Sequence, residues 1–190
     1  MTGEIEVRRA GARFRTDQDG ITTFHSFSYG RHYDPDNVGF GPVIAINEEH
    51  IPPGGGYDTH AHSDVDIVTW VLEGALAHED SAGSSDVVEP GELRWLSAGD
   101  GVRHAERNAS DTEPLRFLQV MLRSGHGRVK VVVATEPTTV HGPALVHATQ
   151  DGVTVDGTDL QAGDEARLTA PGPYDVDASA SAGALIIEVG

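Results

Sequence analysis

The 190 residues carry 30 acidic against 13 basic side chains, among them a single lysine, Lys130, and the formal charge of −17 makes a field that repels nucleic acid and anionic membranes. With no cysteine, disulfides, thiolate metal sites and thiol catalysis are excluded together, so chemistry falls to His, Asp, Glu, hydroxyls or a bound metal. Ten prolines and 23 glycines punctuate the chain into short elements, which favours an all-β architecture over a helical bundle.

The opening MTGEIEVRRAGARF has no apolar signal segment, and no run approaches the ~18 apolar residues of a membrane span, so a cytoplasmic location is expected. Ile5-Glu6-Val7 and Ala12-Arg13-Phe14 are expected as short strands, followed by the loosely alternating run from Thr22 to Phe27. After the polar turn Asp34-Pro35-Asp36-Asn37, Val43-Ile44-Ala45-Ile46 reads as a buried strand that Pro52-Pro53-Gly54-Gly55-Gly56 ends. A strand and turn cadence follows: Asp66 to Leu72, Gly74 to Glu79, the turn Ser81 to Ser85, Leu93 to Leu96 after Pro90-Gly91, and the turn Gly99-Asp100-Gly101 before His104. Leu115 to Leu122 is the next strand, and short antiparallel strands joined by glycine turns pack as a jelly roll or barrel.

Gly125-His126-Gly127 breaks the pattern and marks a junction, which divides the chain into a domain of residues 1–124 and a second of 125–190. Beyond it, Val129 to Val133, Ala144 to Ala148, Val153 to Val155, Ala166 to Leu168 and Ala184 to Ile187 read as further strands. Gly157-Thr158-Asp159-Leu160-Gln161-Ala162-Gly163-Asp164 echoes the stretch from Gly91 to Asp100, which points to two related β modules. The second has no His-x-His pair and is expected to be metal-free.

The chemistry concentrates at His60-Ala61-His62 and His104-Ala105-Glu106. Residues two apart on a strand share a face, so these are two facing pairs able to converge on one divalent metal. Imidazole and carboxylate suit Fe, Mn, Ni, Cu or Zn and leave positions open for water or substrate. Asp58, Asp64 and Asp66 flank the first pair as solvated turn carboxylates or as groups that orient the imidazoles, with Asp66 the foremost candidate. Trp70, Leu72, His78 and Leu96 are candidates to line the interior, and Trp95 to join them or cap the rim. His25, His32, His50, His126, His141 and His147 have no partner at ligand spacing and are read as structural or surface residues. There is neither a phosphate-cradling glycine loop followed by lysine nor a nucleophile-elbow serine.

Phe40-Gly41-Pro42, Ile46-Asn47-Glu48, Thr59-His60-Ala61-His62, the run from Val71 to Ser81, Pro90-Gly91, Ser97-Ala98-Gly99, His104-Ala105-Glu106 and Asn108 together resemble the pirin family of the cupin superfamily. The resemblance implies a bicupin whose N-terminal barrel holds iron(II), or another divalent metal, through His60, His62, His104 and Glu106. The spacing of Gly101, His104 and Asn108 is also similar to the second general cupin motif. Departures are a shortened stretch from Gly125 to Val140, which reduces the second barrel, Ala61 where the family commonly has proline, and Asp66 where it has glutamate.

Family members include flavonol 2,3-dioxygenases that open quercetin with O2 and release carbon monoxide. The implied chemistry is a flavonol bound through its 3-hydroxyl and 4-carbonyl oxygens, with Glu106 both a ligand and, on loosening, the acceptor of the hydroxyl proton. Other members are regulatory or redox proteins, so a metal-binding redox sensor without turnover is the alternative. An aromatic small molecule is the expected partner. Exposed strand edges left by the reduced second module favour a homodimer.

Overall fold

The computed structural model describes residues 5–125, 127–178 and 183–190; His126, singled out above, lies outside the described residues. Among them the chain is all-β apart from one 3-10 turn at Ala10–Ala12, and no helix is long and apolar enough to cross a membrane. It divides into two compact units, Phe14–Gly125 and a second formed by 1–13 together with 126–190. The described residues 5–13, which chain order groups with the first module, thus cluster with the second.

Two antiparallel sheets build the unit from Phe14 to Gly125. The six-stranded sheet comprises β2 (Phe14–Gln18), β3 (Ile21–His25), β4 (Val43–Ile51), β6 (Val65–Glu73), β9 (Leu93–Ser97) and β11 (Leu115–Arg123), in the order β2-β3-β4-β11-β6-β9. The four-stranded sheet comprises β5 (Gly56–His62), β7 (Leu76–Asp80), β8 (Ser85–Val88) and β10 (Val102–Asn108), in the order β5-β10-β7-β8. Ile21, Ile51, Val71, Leu115 and Phe117 of the first sheet meet Leu76, Val88 and Tyr57 of the second in one apolar cluster, so this core lies between the sheets. Burying a side chain such as Phe117 contributes roughly 1.5–3 kcal/mol.

The local reason for these strands is visible in their burial. Along β10, Val102, His104, Glu106 and Asn108 are buried, while Arg103 and Arg107 are exposed and Ala105 lies between. That is the period-two alternation of a half-buried strand. β4 is buried along nearly its whole length, and its residues Glu48 and Glu49 are paired rather than solvated.

The other unit holds one seven-stranded antiparallel sheet: β12 (Val129–Ala134), β17 (Ala184–Val189), β13 (Thr138–Ala148), β16 (Glu165–Ala178), β14 (Val153–Val155) and β15 (Thr158–Leu160), with β1 (Ile5–Arg8) added on β16. Val146, Leu168, Tyr174 and Ile186 belong to its core. Asp164 ties the N-terminal segment down, accepting from the Ala10 backbone N–H at 2.7 Å and from Arg9 at 2.7 Å. The echoed motif occupies matching turns. Gly99 (φ 38°) follows β9, Gly163 (φ 80°) follows β15, and each sits in the left-handed region that glycine enters without a steric penalty.

Two expected elements differ. Ala12-Arg13-Phe14 is not one strand: Ala12 closes the 3-10 turn and β2 begins at Phe14, because Arg13 N–H bonds back to the Ala10 carbonyl instead of a sheet neighbour. β16 runs on through Pro171 and Pro173, residues that normally end strands, since its pairing with β13 holds from Val176 to Gly172 and resumes at Leu168 after a register shift.

Candidate metal centre

β5 and β10 are antiparallel neighbours, with His104 directly opposite His60 and Val102 opposite His62. The register shifts between His104 and Glu106, so that Glu106 faces Tyr57. The imidazole centroids of His104 stand 4.4 Å from His60 and 5.0 Å from His62, and those of His60 and His62 are 4.9 Å apart. One potential ligand atom from each of these three residues lies within 4.8 Å of the others. A second set within the same limit consists of His78, His104 and Glu106, so His104 is common to both.

These groups are held from behind. His60 Nδ1 donates to the Asp58 backbone carbonyl at 2.9 Å, which leaves Nε2 with its lone pair. His78 Nε2 donates to Asp80 Oδ2 at 3.1 Å, which leaves Nδ1 free. Asp80 is itself fixed by the Ala82 and Ser84 backbone N–H groups and by Arg94, and its carboxyl is held down at about 2 despite the opposing effect of burial. Gln119 Nε2, on β11 of the other sheet, donates to both oxygens of Glu106 at 2.9 and 3.1 Å.

Buried polar atoms ordinarily find partners, and each one left without costs about 1–3 kcal/mol. Here His62 Nε2, His78 Nδ1 and both ring nitrogens of His104 are buried without a hydrogen bond; Glu106 Oε2 stands 3.9 Å from His104 Nε2, beyond bonding range. A neutral imidazole offers one lone pair, so His62, His78 and His104 bring three unpaired ring nitrogens beside a carboxylate, a donor set that fits a divalent cation. The His/Glu clusters are therefore a candidate divalent-metal site.

Protonation follows the same burial. Desolvation, then His60, His62, His78 and Arg94, push the His104 imidazole down to about 3, and burial pushes the Glu106 carboxyl up to about 7 against the Gln119 hydrogen bond. Burial likewise lifts Glu49 to about 7, against hydrogen bonds from Thr23 and Tyr57. In the metal-free chain these act in opposite directions. Below about 6.5 the unfolded chain takes up a proton at His104 that the fold refuses until about 3, so stability falls with falling pH. The two glutamates hold protons in the fold up to about 7 but lose them near 4.5 when unfolded, so stability falls as pH rises from 4.5 through 7. Between pH 4.5 and 6.5 the two glutamates outweigh the one histidine, so urea midpoints of the metal-free protein are expected to peak near pH 4.5, with each group worth on the order of 3–5 kcal/mol at full development. Glu106→Gln is expected to flatten the alkaline limb, and an unchanged limb would refute this assignment.

A cavity of about 600 Å³ opens on the centre; its lining includes Ile21, Tyr29, His60, His62, Glu106 and Met121. It also includes His25, Asn47, Glu49, Tyr57 and Gln119, which the sequence reading did not single out as site residues. His25, read there as structural or surface, is a buried cavity residue that bonds Asn47 at 2.9 Å and stacks on Tyr29. His32 bonds Thr16 and His50 bonds Glu48, away from the three central imidazoles. Among the flanking acids, Asp66 accepts from Ser97 Oγ at 2.5 Å, Asp58 pairs with Arg107, and the group that orients His60 is a backbone carbonyl. Trp70 is buried and Trp95 is 46% exposed, so Trp95 does not share the interior position of Trp70.

A sequence profile described as Pirin matches residues 6–122. Quercetin 2,3-dioxygenase of Escherichia coli K12 is 40% identical over 118 residues, 62% of this chain and 51% of that protein. A Mycobacterium tuberculosis relative is 48% identical over 120 residues, 63% of this chain and 49% of its own. The chain thus matches about half the length of these relatives. Among solved structures, YhhW from Escherichia coli superposes with a TM-score of 0.89 at 24% identity over 98% of both chains. The bacterial pirin YhhW in complex with nickel(II) does so with a TM-score of 0.84 at 24% identity, over 98% of this chain and 99% of that one. At that identity the two likenesses establish the fold.

Proposed function

Since this chain belongs to the Pirin family, we propose that its metal centre serves a dioxygenase that opens flavonols such as quercetin with O2. The two antiparallel modules are consistent with the paired jelly rolls of a bicupin. The single observation that carries the proposal is a cluster of buried, unpaired imidazole nitrogens on His62, His78 and His104, beside an open cavity of about 600 Å³ that His60, His62 and Glu106 line. A cavity of that size falls within the range of small-molecule sites. The E. coli relative named for this activity supports the substrate class.

In this reading His60, His62 and His104 hold iron(II), with Glu106 as the fourth group. The chemistry supplied there is Lewis-acid activation of the substrate hydroxyl and its approach to dioxygen. The rest is done by the chain. The Asp58 carbonyl keeps His60 in the tautomer that presents Nε2. Gln119 restrains both Glu106 oxygens, and Glu106 would be the carboxylate placed to accept the 3-hydroxyl proton. Ile21, Tyr29 and Met121 give the cavity apolar surface that holds planar rings and excludes water.

The test is anaerobic ferrous loading, quantified by mass spectrometry, followed by oxygen uptake and carbon monoxide release with quercetin. One metal per chain with uptake that His60→Ala abolishes is the expected result. Stoichiometric metal without uptake would transfer the centre to another substrate or to redox sensing, and absence of any bound divalent ion would overturn the reading.

A further inference from the structure

Glu49 is a buried carboxylate that the chemistry above does not use. It stands on β4, opposite Thr23 of β3 and Phe117 of β11, and its side chain lines the cavity. Only 5% of the residue is exposed. Its Oε2 accepts from Thr23 Oγ1 at 2.6 Å and from Tyr57 OH at 2.7 Å, while Oε1 takes no hydrogen bond among the described residues. Two hydroxyls therefore aim one oxygen and leave the other to the cavity.

Tyr57 links this carboxylate to the centre. Its ring packs edge-on against His60 at 6.2 Å between centroids, while its hydroxyl reaches Glu49, so one aromatic side chain spans the interval. The wall around Glu49 is polar as well: Thr23, His25, Asn47 and Gln119 are all buried and all line the same cavity. Thr23 is bonded to Glu49, His25 to Asn47 and Gln119 to Glu106, so this wall is fixed by its own hydrogen bonds before a ligand enters.

We propose that Glu49 is a second recognition point of the cavity, at which Oε1 accepts a hydrogen bond from a phenolic hydroxyl remote from the chelating end of a planar, polyhydroxylated aromatic substrate. Thr23 and Tyr57 are the positioning residues. A carboxylate with both oxygens solvated would gain little from such a bond, but one removed from water makes a strong, charge-assisted one. Burial, which lifts this carboxyl to about 7, is consistent with a group that gains from a donor. The inference rests on the flavonol reading for its substrate class and deepens it: the hydroxylation pattern beyond the 3-hydroxyl and 4-carbonyl selects the substrate.

The experiment compares anaerobic binding of quercetin and of 3-hydroxyflavone, which share the chelating oxygens but differ in the remaining hydroxyls. Zinc-loaded wild type, Glu49→Gln and Tyr57→Phe proteins are titrated calorimetrically, with metal content and circular dichroism as controls. Wild type is expected to prefer quercetin about tenfold or more. Glu49→Gln is expected to erase most of that preference while leaving 3-hydroxyflavone affinity within about twofold, and Tyr57→Phe to reduce it partially. If Glu49→Gln does not fold, Glu49→Asp, which withdraws the carboxylate by one methylene, is expected to lose the preference in its place. No preference in the wild type, or a preference untouched in folded, metal-loaded Glu49 variants, overturns the proposal. Because binding is read without oxygen, the two readings separate. A Glu49-dependent preference without oxygen uptake removes the dioxygenase and keeps the recognition point, whereas turnover with a Glu49-independent preference does the reverse.

Discussion

His104→Leu is expected to abolish stoichiometric divalent-metal binding, lowering apparent affinity by more than about 100-fold, since even removing a partner that merely orients a ligand costs ~10–100-fold. His104 is the one residue common to both donor sets, and neither set retains three ligands without it. Leucine fills the space of the imidazole and removes two buried, unpaired nitrogens. The metal-free variant is therefore expected to unfold at the same or a higher urea concentration than wild type, which separates loss of metal from loss of fold. His78→Leu distinguishes the two sets by chelator competition. Affinity close to wild type assigns the ion to His60, His62 and His104, whereas a loss equal to that of His104→Leu assigns it to the set containing Glu106.

Gly56→Ala is expected to destabilise the protein by on the order of 3 kcal/mol and to weaken metal binding with it. Gly56 has φ 153° and sits opposite Arg107 where β5 meets β10. A Cβ there would stand 2.5 Å from the Glu106 carbonyl oxygen and 2.6 Å from Arg107 Cα. Both are backbone atoms and cannot swing aside, so β5 must withdraw from β10. Because β5 carries His60 and His62 and β10 carries His104, the withdrawal opens the donor set as it strains the sheet. Gly11→Ala, whose Cβ would meet nothing within 4 Å, is the control and is expected to stay within about 0.5 kcal/mol of wild type. Urea midpoints and metal titrations of the two variants decide the matter; equal behaviour would show that the close approach of β5 and β10 is not what assembles the centre.

The part of this site that was legible in the sequence is the part that local geometry encodes. Side chains two apart on a strand must share a face, so His60 with His62 and His104 with Glu106 were identifiable as pairs before any pairing partner was known. Glycine and proline likewise punctuate strands locally, which is why β6, β9, β11 and β12 stand close to where their apolar runs place them. Composition excluded thiol chemistry outright.

What escaped is whatever depends on partners distant in the chain. Glu49, Tyr57 and Gln119 are single polar residues, each unremarkable on its own strand, and they become a cavity wall because β4, β5 and β11 converge. Glu106 stands beside His78 because β10 pairs with β7 at that position, a relation that no spacing within β10 reveals. The return of residues 5–13 to the second unit depends on β1 pairing with β16 and on Asp164 capturing Ala10 and Arg9, contacts made across some 150 residues. Which residues share a face follows from the period of the backbone, which a few residues suffice to specify. Which faces meet, and in what register, follows from sheet pairing over the whole chain, and only the tertiary structure decided it.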